Sequence, residues 1–156
     1  MSSTARLEVA LAGLGQSPRI VTFDQSTRTS EEAAGAIGCA VGQIAKSLIF
    51  RAKRSNRPIL VMACGDNRVD KKKLRALVGE KIGRADADFV RERTGYAIGG
   101  VAPVGHTESI ATYLDTGLWV HDIVWAAAGA PNAVFETTPE DLLAMTGGAR
   151  ADIAVE

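Results

Sequence analysis

The chain has 156 residues, enough to bury one hydrophobic core but short for two, so we expect a single domain over residues 1–156. Apolar residues make up 46% and charged residues 23%, as in ordinary globular proteins. The 18 basic and 18 acidic side chains cancel, which argues against double-stranded DNA as a partner. No apolar run approaches the roughly 20 residues of a membrane span, and the first residues lack a secretory pattern. We therefore expect a cytoplasmic location and no membrane partner.

Hydrophobic periodicity predicts alternating helices and strands along the first half of the chain. Leucines at helical spacing predict a helix over 3–14, and Thr29 with Glu32 forms a capping box for a helix that reaches Ile37. Strands are expected at 20–23, 44–51 and 59–63, the last two joined as a hairpin. The continuous apolar run at 59–63 predicts burial on both faces of that strand.

In the second half, two helices are predicted to begin after the N-cap residues Asp70 and Asp86 and to end at Gly79 and Gly95. The first of them is expected to turn Leu74, Leu77 and Val78 inward. A last helix is expected over 139–145, with strands at 109–114, 123–128 and 133–136 and an edge strand at 151–155. The hairpins argue against a doubly wound parallel sheet. The prediction is an α/β fold with a mixed, largely antiparallel sheet and surrounding helices.

Residues 94–106 contain four glycines and one proline, a density that excludes an ordinary helix or strand. Glycine allows positive φ and close approach of another molecule to the main chain, while proline stiffens the loop. Such a loop can hold N–H groups toward an anion or a developing oxyanion. A plain surface loop has the same composition, so both interpretations are open on the residues alone.

Lys46 lies within a predicted strand, on the same face as Leu48 and Phe50. A lysine on an apolar face is unusual, because its charge is costly to bury without a partner. The side chain either serves a binding site for a phosphate or carboxylate or extends past the sheet to water. The two cysteines, Cys39 and Cys64, are interpreted as small apolar fillers.

Three stretches in this order, 45–50, 66–74 and 94–106, resemble the YbaK-like family, the free-standing relatives of the editing domain in bacterial prolyl-tRNA synthetases. Ala128-Gly129 and residues 139–143 extend the similarity over nearly the whole chain. The resemblance implies hydrolysis, in trans, of the ester that joins a wrong amino acid to the 3′ adenosine of a tRNA. Mischarged aminoacyl-tRNA, with tRNA(Pro) as the carrier, and prolyl-tRNA synthetase are the implied partners. No metal and no organic cofactor is implied, in agreement with histidines and cysteines that lack ligand spacing.

The resemblance also assigns roles to residues. Lys46 is implied to hold the terminal nucleotide, while the backbone of Gly99 and Gly100 is expected to stabilise the ester oxyanion. A ribose hydroxyl of the substrate would orient the attacking water. His106 is expected to support the loop rather than act as a base. Further substrate contacts are expected at Val101, Ala102, Pro103, Ala127 and Gly129.

Many relatives carry a serine in the strand before Ala128-Gly129, where this chain has alanine at 126, 127 and 128. This difference favours a small aliphatic amino acid such as alanine over cysteine or a hydroxylated residue. The basic runs 51–54 and 71–73 either touch tRNA phosphates or form solvated surface. The alternative to an enzyme is a non-catalytic module that binds tRNA 3′ ends or a synthetase.

Overall fold

The computed structural model describes residues 2–24, 27 and 29–156. Five α-helices occur in that part of the chain: α1 (Ser3–Gly13), α2 (Ser30–Ile37), α3 (Lys71–Val78), α4 (Ala87–Thr94) and α5 (Pro139–Thr146). The eight strands are β1 (Ile20–Thr22), β2 (Ile44–Ala52), β3 (Pro58–Cys64), β4 (Ile82–Arg84), β5 (Ala111–Asp115), β6 (Val124–Ala127), β7 (Ala133–Thr137) and β8 (Ala149–Ala151). Two 3-10 turns cover Val41–Gln43 and Thr116–Val120.

All eight strands form one sheet in the order β1-β7-β6-β2-β3-β5-β8, with β4 paired to β2. Antiparallel pairing joins β1 to β7, β6 to β7, and β2 to both β3 and β4. Parallel pairing joins β2 to β6, β3 to β5, and β5 to β8. The predicted mixed α/β sheet is therefore confirmed, including the β2–β3 hairpin, and β3 is buried along its whole length.

The structure confirms the residues that were predicted to cap the helices. Side-chain oxygens of Thr29, Asp70, Asp86 and Thr138 accept from main-chain N–H groups of the first helical turn. Each bond satisfies a donor that has no partner within the helix. The same four helices end on a glycine in the left-handed region, at Gly38, Gly79, Gly95 and Gly147. Local sequence thus sets both ends of these helices.

Two sequence-based expectations are wrong in detail, and one strand was missed. Leu77 is 47% exposed, because α3 buries only Leu74 and Val78 against the sheet. The last strand lies at Ala149–Ala151, earlier than the expected 151–155, with Ala154 making an isolated bridge to Val69. Strand β4 was not predicted, since three residues are too short for a period-2 pattern.

Helices cover both faces of the sheet. The larger core packs α1, α4 and α5 against one face through Leu7, Val90 and Leu142. On the opposite face, Leu74 of α3 and Ala33 of α2 contribute to two smaller cores. Leu48 and Phe50 pack on the α3 side, as expected from strand alternation. Lys46 lies two positions before Leu48 in the same strand, so it lies on the same face of β2 and its predicted face is confirmed.

Strand β2 has one edge that is only partly paired, and this positions the candidate site. Its other edge pairs with β3 from Ala45 to Arg51. On the site edge, β6 pairs only with Ile44 and Ala45, and β4 pairs only with residues 50–52. Within the described residues, no strand pairs with 46–49 on that edge. The sheet therefore contains a four-residue gap between β6 and β4.

Candidate active site

A cavity of about 610 Å³ lies at this gap. Every residue of β2 from Ile44 to Phe50 contributes to its wall. The wall from β6 and β7 is largely apolar and includes Ala127 and Val134, whereas the segment at the start of α2 contributes Thr27, Thr29, Ser30 and Glu31. The volume lies in the range of small-molecule sites, which combine apolar walls with a few polar groups.

Lys46 lines the cavity, and its ammonium group has a defined partner. Its Nζ donates to the main-chain carbonyl of Asn67 at 2.6 Å. Asn67 in turn donates through Nδ2 to Asp115 Oδ2 at 3.0 Å. Asp115 is only 2% exposed, and it also accepts from the N–H groups of Cys64 and Gly117. A buried carboxylate therefore fixes the turn that holds the lysine.

The glycine loop from Gly95 to His106 is braced from within. Tyr96 is fully buried and donates its hydroxyl to the Val104 carbonyl at 2.8 Å, which connects the two arms of the loop. Arg6 of α1 stacks over the Tyr96 ring at 4.6 Å from its centroid and donates to the Gly95 carbonyl. Thr107 closes the base of the loop by donating its N–H to the Thr94 carbonyl. The loop is thus held rigidly at the mouth of the cavity.

Within the loop, Gly99 and Val101 line the cavity and Gly100 does not. The N–H of Gly100 donates to the Ala97 carbonyl at 3.0 Å, which occupies the donor expected to contact an oxyanion. A Cβ at Gly100 would lie 2.8 Å from the carbonyl carbon of Ala130. Gly100 therefore permits close contact between two backbone segments. In the described part of the chain, the N–H groups of Gly99 and Val101 have no hydrogen-bond acceptor.

His106 lies behind the loop rather than in the cavity. Its Nε2 is 2.7 Å from the Ala102 carbonyl oxygen, and its ring meets the edge of the Tyr96 ring at 84°. Burial lowers the pKa of this imidazole below its usual range. In the neutral ring, a proton on Nε2 is donated to the carbonyl oxygen of Ala102. This geometry fits loop support.

The remaining expected substrate contacts divide into two groups. Val101 and Ala127 line the cavity together with Lys46 and Gly99. Ala102 is buried in the main core, and Pro103 lies with His106 at a separate cavity of about 230 Å³. Gly129 has φ 93°, and a Cβ there would lie 2.8 Å from the Ser3 carbonyl oxygen at the start of α1. Ala102, Pro103 and Gly129 do not line the cavity.

Sequence reasoning missed three charged or polar residues of this region. Arg84 of β4 lines the cavity from the far end of the gap and is exposed. Asn67 and Asp115 position Lys46 without lining the cavity. Asn67 was inside a motif that carries the family resemblance, but its role needs Asp115, which is 48 residues away. Only the folded chain joins them.

Among residues 2–24, 27 and 29–156, none of the helices has the length and apolar character that a membrane crossing requires. The same part of the chain contains no group of three or more His, Cys, Asp or Glu side chains placed to hold a metal ion.

Comparisons with known proteins identify the class to which this fold and its lysine-bearing cavity belong. The family model of the aminoacyl-tRNA editing domain matches residues 24–145. YwhH of Bacillus subtilis, an uncharacterised protein, is 39% identical over 123 residues, which cover 79% of this chain and 78% of that protein. A candidate Cys-tRNA(Pro)/Cys-tRNA(Cys) deacylase of Enterococcus faecalis, EbsC, is 27% identical over 129 residues, covering 82% of this chain and 78% of its own length.

Solved structures are similar over the whole fold. A candidate trans-editing enzyme for prolyl-tRNA synthetase superposes with a TM-score of 0.94 at 43% identity, covering 100% of this chain and 99% of that one. The chain belongs to the aminoacyl-tRNA editing-domain family. The YbaK-like resemblance, and with it the fold and the hydrolase class expected from the three motifs, is confirmed.

Proposed function

We propose that this protein is a trans-acting deacylase that removes a mischarged small amino acid, alanine, from tRNA(Pro). The observation that carries the proposal is the joint lining of one cavity by Lys46, Gly99, Val101 and Ala127. The family match supports the chemistry, and the printed descriptions of two similar proteins support tRNA(Pro) and prolyl-tRNA synthetase as partners. Editing of newly charged tRNA also supports the expected cytoplasmic location.

The proposed reaction is direct hydrolysis. Lys46 holds a phosphate of the terminal nucleotide, which places the aminoacyl ester beside the glycine loop. Water adds to the ester carbonyl, and the oxyanion receives hydrogen bonds from the N–H groups of Gly99 and Val101. The bond from the carbonyl carbon to the ribose oxygen then breaks, and that oxygen takes the proton from the water. An oxyanion donor of this kind is typically worth about 3–4 kcal/mol of barrier.

The amino acid preference rests on the apolar wall. Ala127, Ala133 and Val134 offer no side-chain hydrogen bond to a hydroxyl or thiol. Apolar walls exclude larger side chains by size, at about 1–3 kcal/mol per methylene. Alanine therefore fits this proposal better than cysteine, which EbsC is described as removing.

The test is a deacylation panel with purified protein and Ala-, Ser-, Cys- and Pro-tRNA(Pro), with Ala-tRNA(Ala) as a further substrate. We expect release of alanine from tRNA(Pro) faster than release of proline. Lys46→Ala should lower the rate about 100-fold or more, because the bound phosphate loses its half-buried cationic partner. Lys81→Ala removes an exposed lysine outside the cavity and should leave the rate unchanged.

Three outcomes separate the hypotheses. Binding of mischarged tRNA without any ester hydrolysis would favour the non-catalytic module. Faster hydrolysis of Cys-tRNA(Pro) than of Ala-tRNA(Pro) would support the deacylase activity but overturn the assignment of alanine as the amino acid removed. A folded Lys46→Ala variant with normal turnover would overturn the role of the lysine.

A further inference from the structure

The gap in the sheet exposes main-chain groups whose direction can be read from the neighbouring hydrogen bonds. The Ala52 N–H donates to the Arg57 carbonyl on the β3 side, whereas the Lys53 N–H donates to the Lys81 carbonyl on the β4 side. In a regular strand, the main-chain groups of successive residues point to opposite edges. Even-numbered residues of β2 therefore pair with β3, and odd-numbered residues face β4, the gap and β6.

Ser47 and Ile49 are the odd-numbered residues within the gap. By this alternation their C=O and N–H groups face away from β3 toward the gap, and both residues line the cavity. β6 ends its pairing at Ala45, and β4 begins its pairing at Phe50, so neither strand faces them. Main-chain groups withdrawn from bulk water need a hydrogen-bond partner, and a bound ligand can supply one.

We infer that the gap in β2 binds the adenine base of the substrate's terminal adenosine through its Watson–Crick edge. This inference rests on the proposed function, which brings an aminoacyl-adenosine into the cavity. The Ser47 carbonyl accepts from the exocyclic N6 amino group, and the Ile49 N–H donates to N1. An extended backbone offers this acceptor and donor side by side, so the base continues the sheet in place of a strand.

The size and chemistry of the gap favour a base over an added peptide strand. Four unpaired residues are shorter than a usual strand, of about five or six residues. The cavity of about 610 Å³ is closed by the loop of Gly99 on one side and suits a small ligand. Lys46 within the same gap supplies a cation for the phosphate attached to the base. Guanine and uracil present the opposite pattern of donor and acceptor at these positions and would not fit.

The experiment changes the substrate and leaves the protein intact, so folding is not a variable. Aminoacylated tRNA is prepared with the terminal adenosine replaced by purine riboside, which lacks the N6 donor, or by 1-deaza-adenosine, which lacks the N1 acceptor. 7-Deaza-adenosine keeps the Watson–Crick edge and is the matched control. We expect kcat/KM to fall about 10- to 100-fold for the first two, since each leaves a main-chain group without a partner. The 7-deaza substrate should stay close to adenosine.

A second measurement addresses the contact directly. In 15N-labelled protein, adenosine 5′-monophosphate should move the Ile49 amide proton downfield, and inosine 5′-monophosphate should not. Equal turnover of the purine riboside and adenosine substrates would overturn the adenine site while leaving deacylation established. If no aminoacyl-tRNA is hydrolysed, the proposed function fails, and the Ile49 amide response alone decides the inference. An Ile49 amide that responds equally to both nucleotides would overturn it.

Discussion

The ammonium group of Lys46 donates to the carbonyl of Asn67 at 2.6 Å, and the side chain of Asn67 donates to buried Asp115 at 3.0 Å. The turn after β3 is thereby tied at one end to the cavity lysine and at the other to the end of β5. Asp115 also accepts from the Cys64 N–H at 3.0 Å, so one carboxylate organises both the turn and the strand before it. The direction of the lysine is set by residues that do not line the cavity.

Removal of the Asn67 side chain should therefore impair the site without altering the cavity wall. In Asn67→Ala the bond to Asp115 is lost, and the carbonyl that holds Lys46 Nζ is free to move. We expect kcat/KM to fall about 10-fold, mainly through KM, from the loss of one charge-assisted hydrogen bond. Steady-state kinetics on mischarged tRNA measure the effect. In a Lys46→Ala background the same change should have no further effect, and full additivity would contradict a role through the lysine.

Gly100 should not tolerate a side chain. The Cβ of Gly100→Ala would lie 2.8 and 2.9 Å from the carbonyl carbon and Cα of Ala130, which are backbone atoms that cannot rotate away. The loop must shift, so we expect a loss of about 1–3 kcal/mol of unfolding free energy and a lower kcat. Urea denaturation and kinetics measure both. Gly35→Ala is the control, because nothing lies within 4 Å of its Cβ in α2, and it should stabilise by about 0.5–1 kcal/mol.

His106 should make stability depend on pH. Burial lowers its pKa in the folded state, whereas the unfolded chain has a pKa of about 6.5. As the pH falls below that value, the unfolded state takes up a proton that the folded state does not. The stabilisation is therefore complete above the unfolded pKa and declines as the pH falls toward the folded pKa. Urea denaturation from pH 8 to pH 5 should show this decline in the wild type and a flatter profile in His106→Gln. Parallel profiles would contradict it.

Arg84 should contribute to tRNA affinity through a phosphate. It lies at the end of the gap opposite Lys46 and lines the cavity. Arg84→Ala should weaken binding and reduce the slope of log affinity against log salt by about 0.7, the value for one contact to a single strand. Fluorescence anisotropy at several salt concentrations measures the slope. Arg75→Ala, an exposed arginine of α3 outside the cavity, should leave it unchanged.

Within the basic run 71–73, the contacts of Lys73 fit protein surface better than a tRNA contact. Lys73 donates to Asp152 at 3.1 Å and to the Ala154 carbonyl at 2.9 Å, which ties α3 to the end of the chain. These partners raise the pKa of Lys73, mainly through the hydrogen bond that Lys73 donates to Asp152. Neutralising Lys71, Lys72 and Lys73 together should leave the slope of log tRNA affinity against log salt unchanged. A reduced slope of log affinity against log salt would show instead that these lysines contact tRNA phosphates.

Features encoded locally were predictable from the sequence. Thr29, Asp70 and Asp86 carry their capping chemistry within three residues, so the helix starts could be placed. The face of Lys46 followed from strand alternation alone. Features that depend on distant pairing were not predictable: the gap in β2 exists because β6 and β4 stop at different places along it. The occupied N–H of Gly100 likewise depends on a turn conformation that the loop composition does not specify.

The last prediction concerns how the ester is broken. Cys64 is unsuited to be a nucleophile, because burial raises the pKa of its thiol to about 12 and its Sγ contacts the Gly42 carbonyl at 3.0 Å. His106 is occupied behind the loop, and Gly99 and Val101 offer only main-chain groups. We expect the free hydroxyl of the terminal ribose to orient the attacking water, with no covalent enzyme intermediate.

A substrate with hydrogen in place of that ribose hydroxyl should bind normally and be hydrolysed about 100- to 10,000-fold more slowly, the usual range for losing a positioned proton-transfer group. Single-turnover kinetics separate binding from hydrolysis, and Cys39→Ser serves as a control that should keep normal turnover, because Cys39 does not line the cavity. Hydrolysis of the deoxy substrate at the normal rate would contradict substrate assistance. An acyl group trapped on Cys64 or on Ser47, the serine of β2 that lines the cavity, would show that the chain supplies the nucleophile and that the loop serves a covalent intermediate instead.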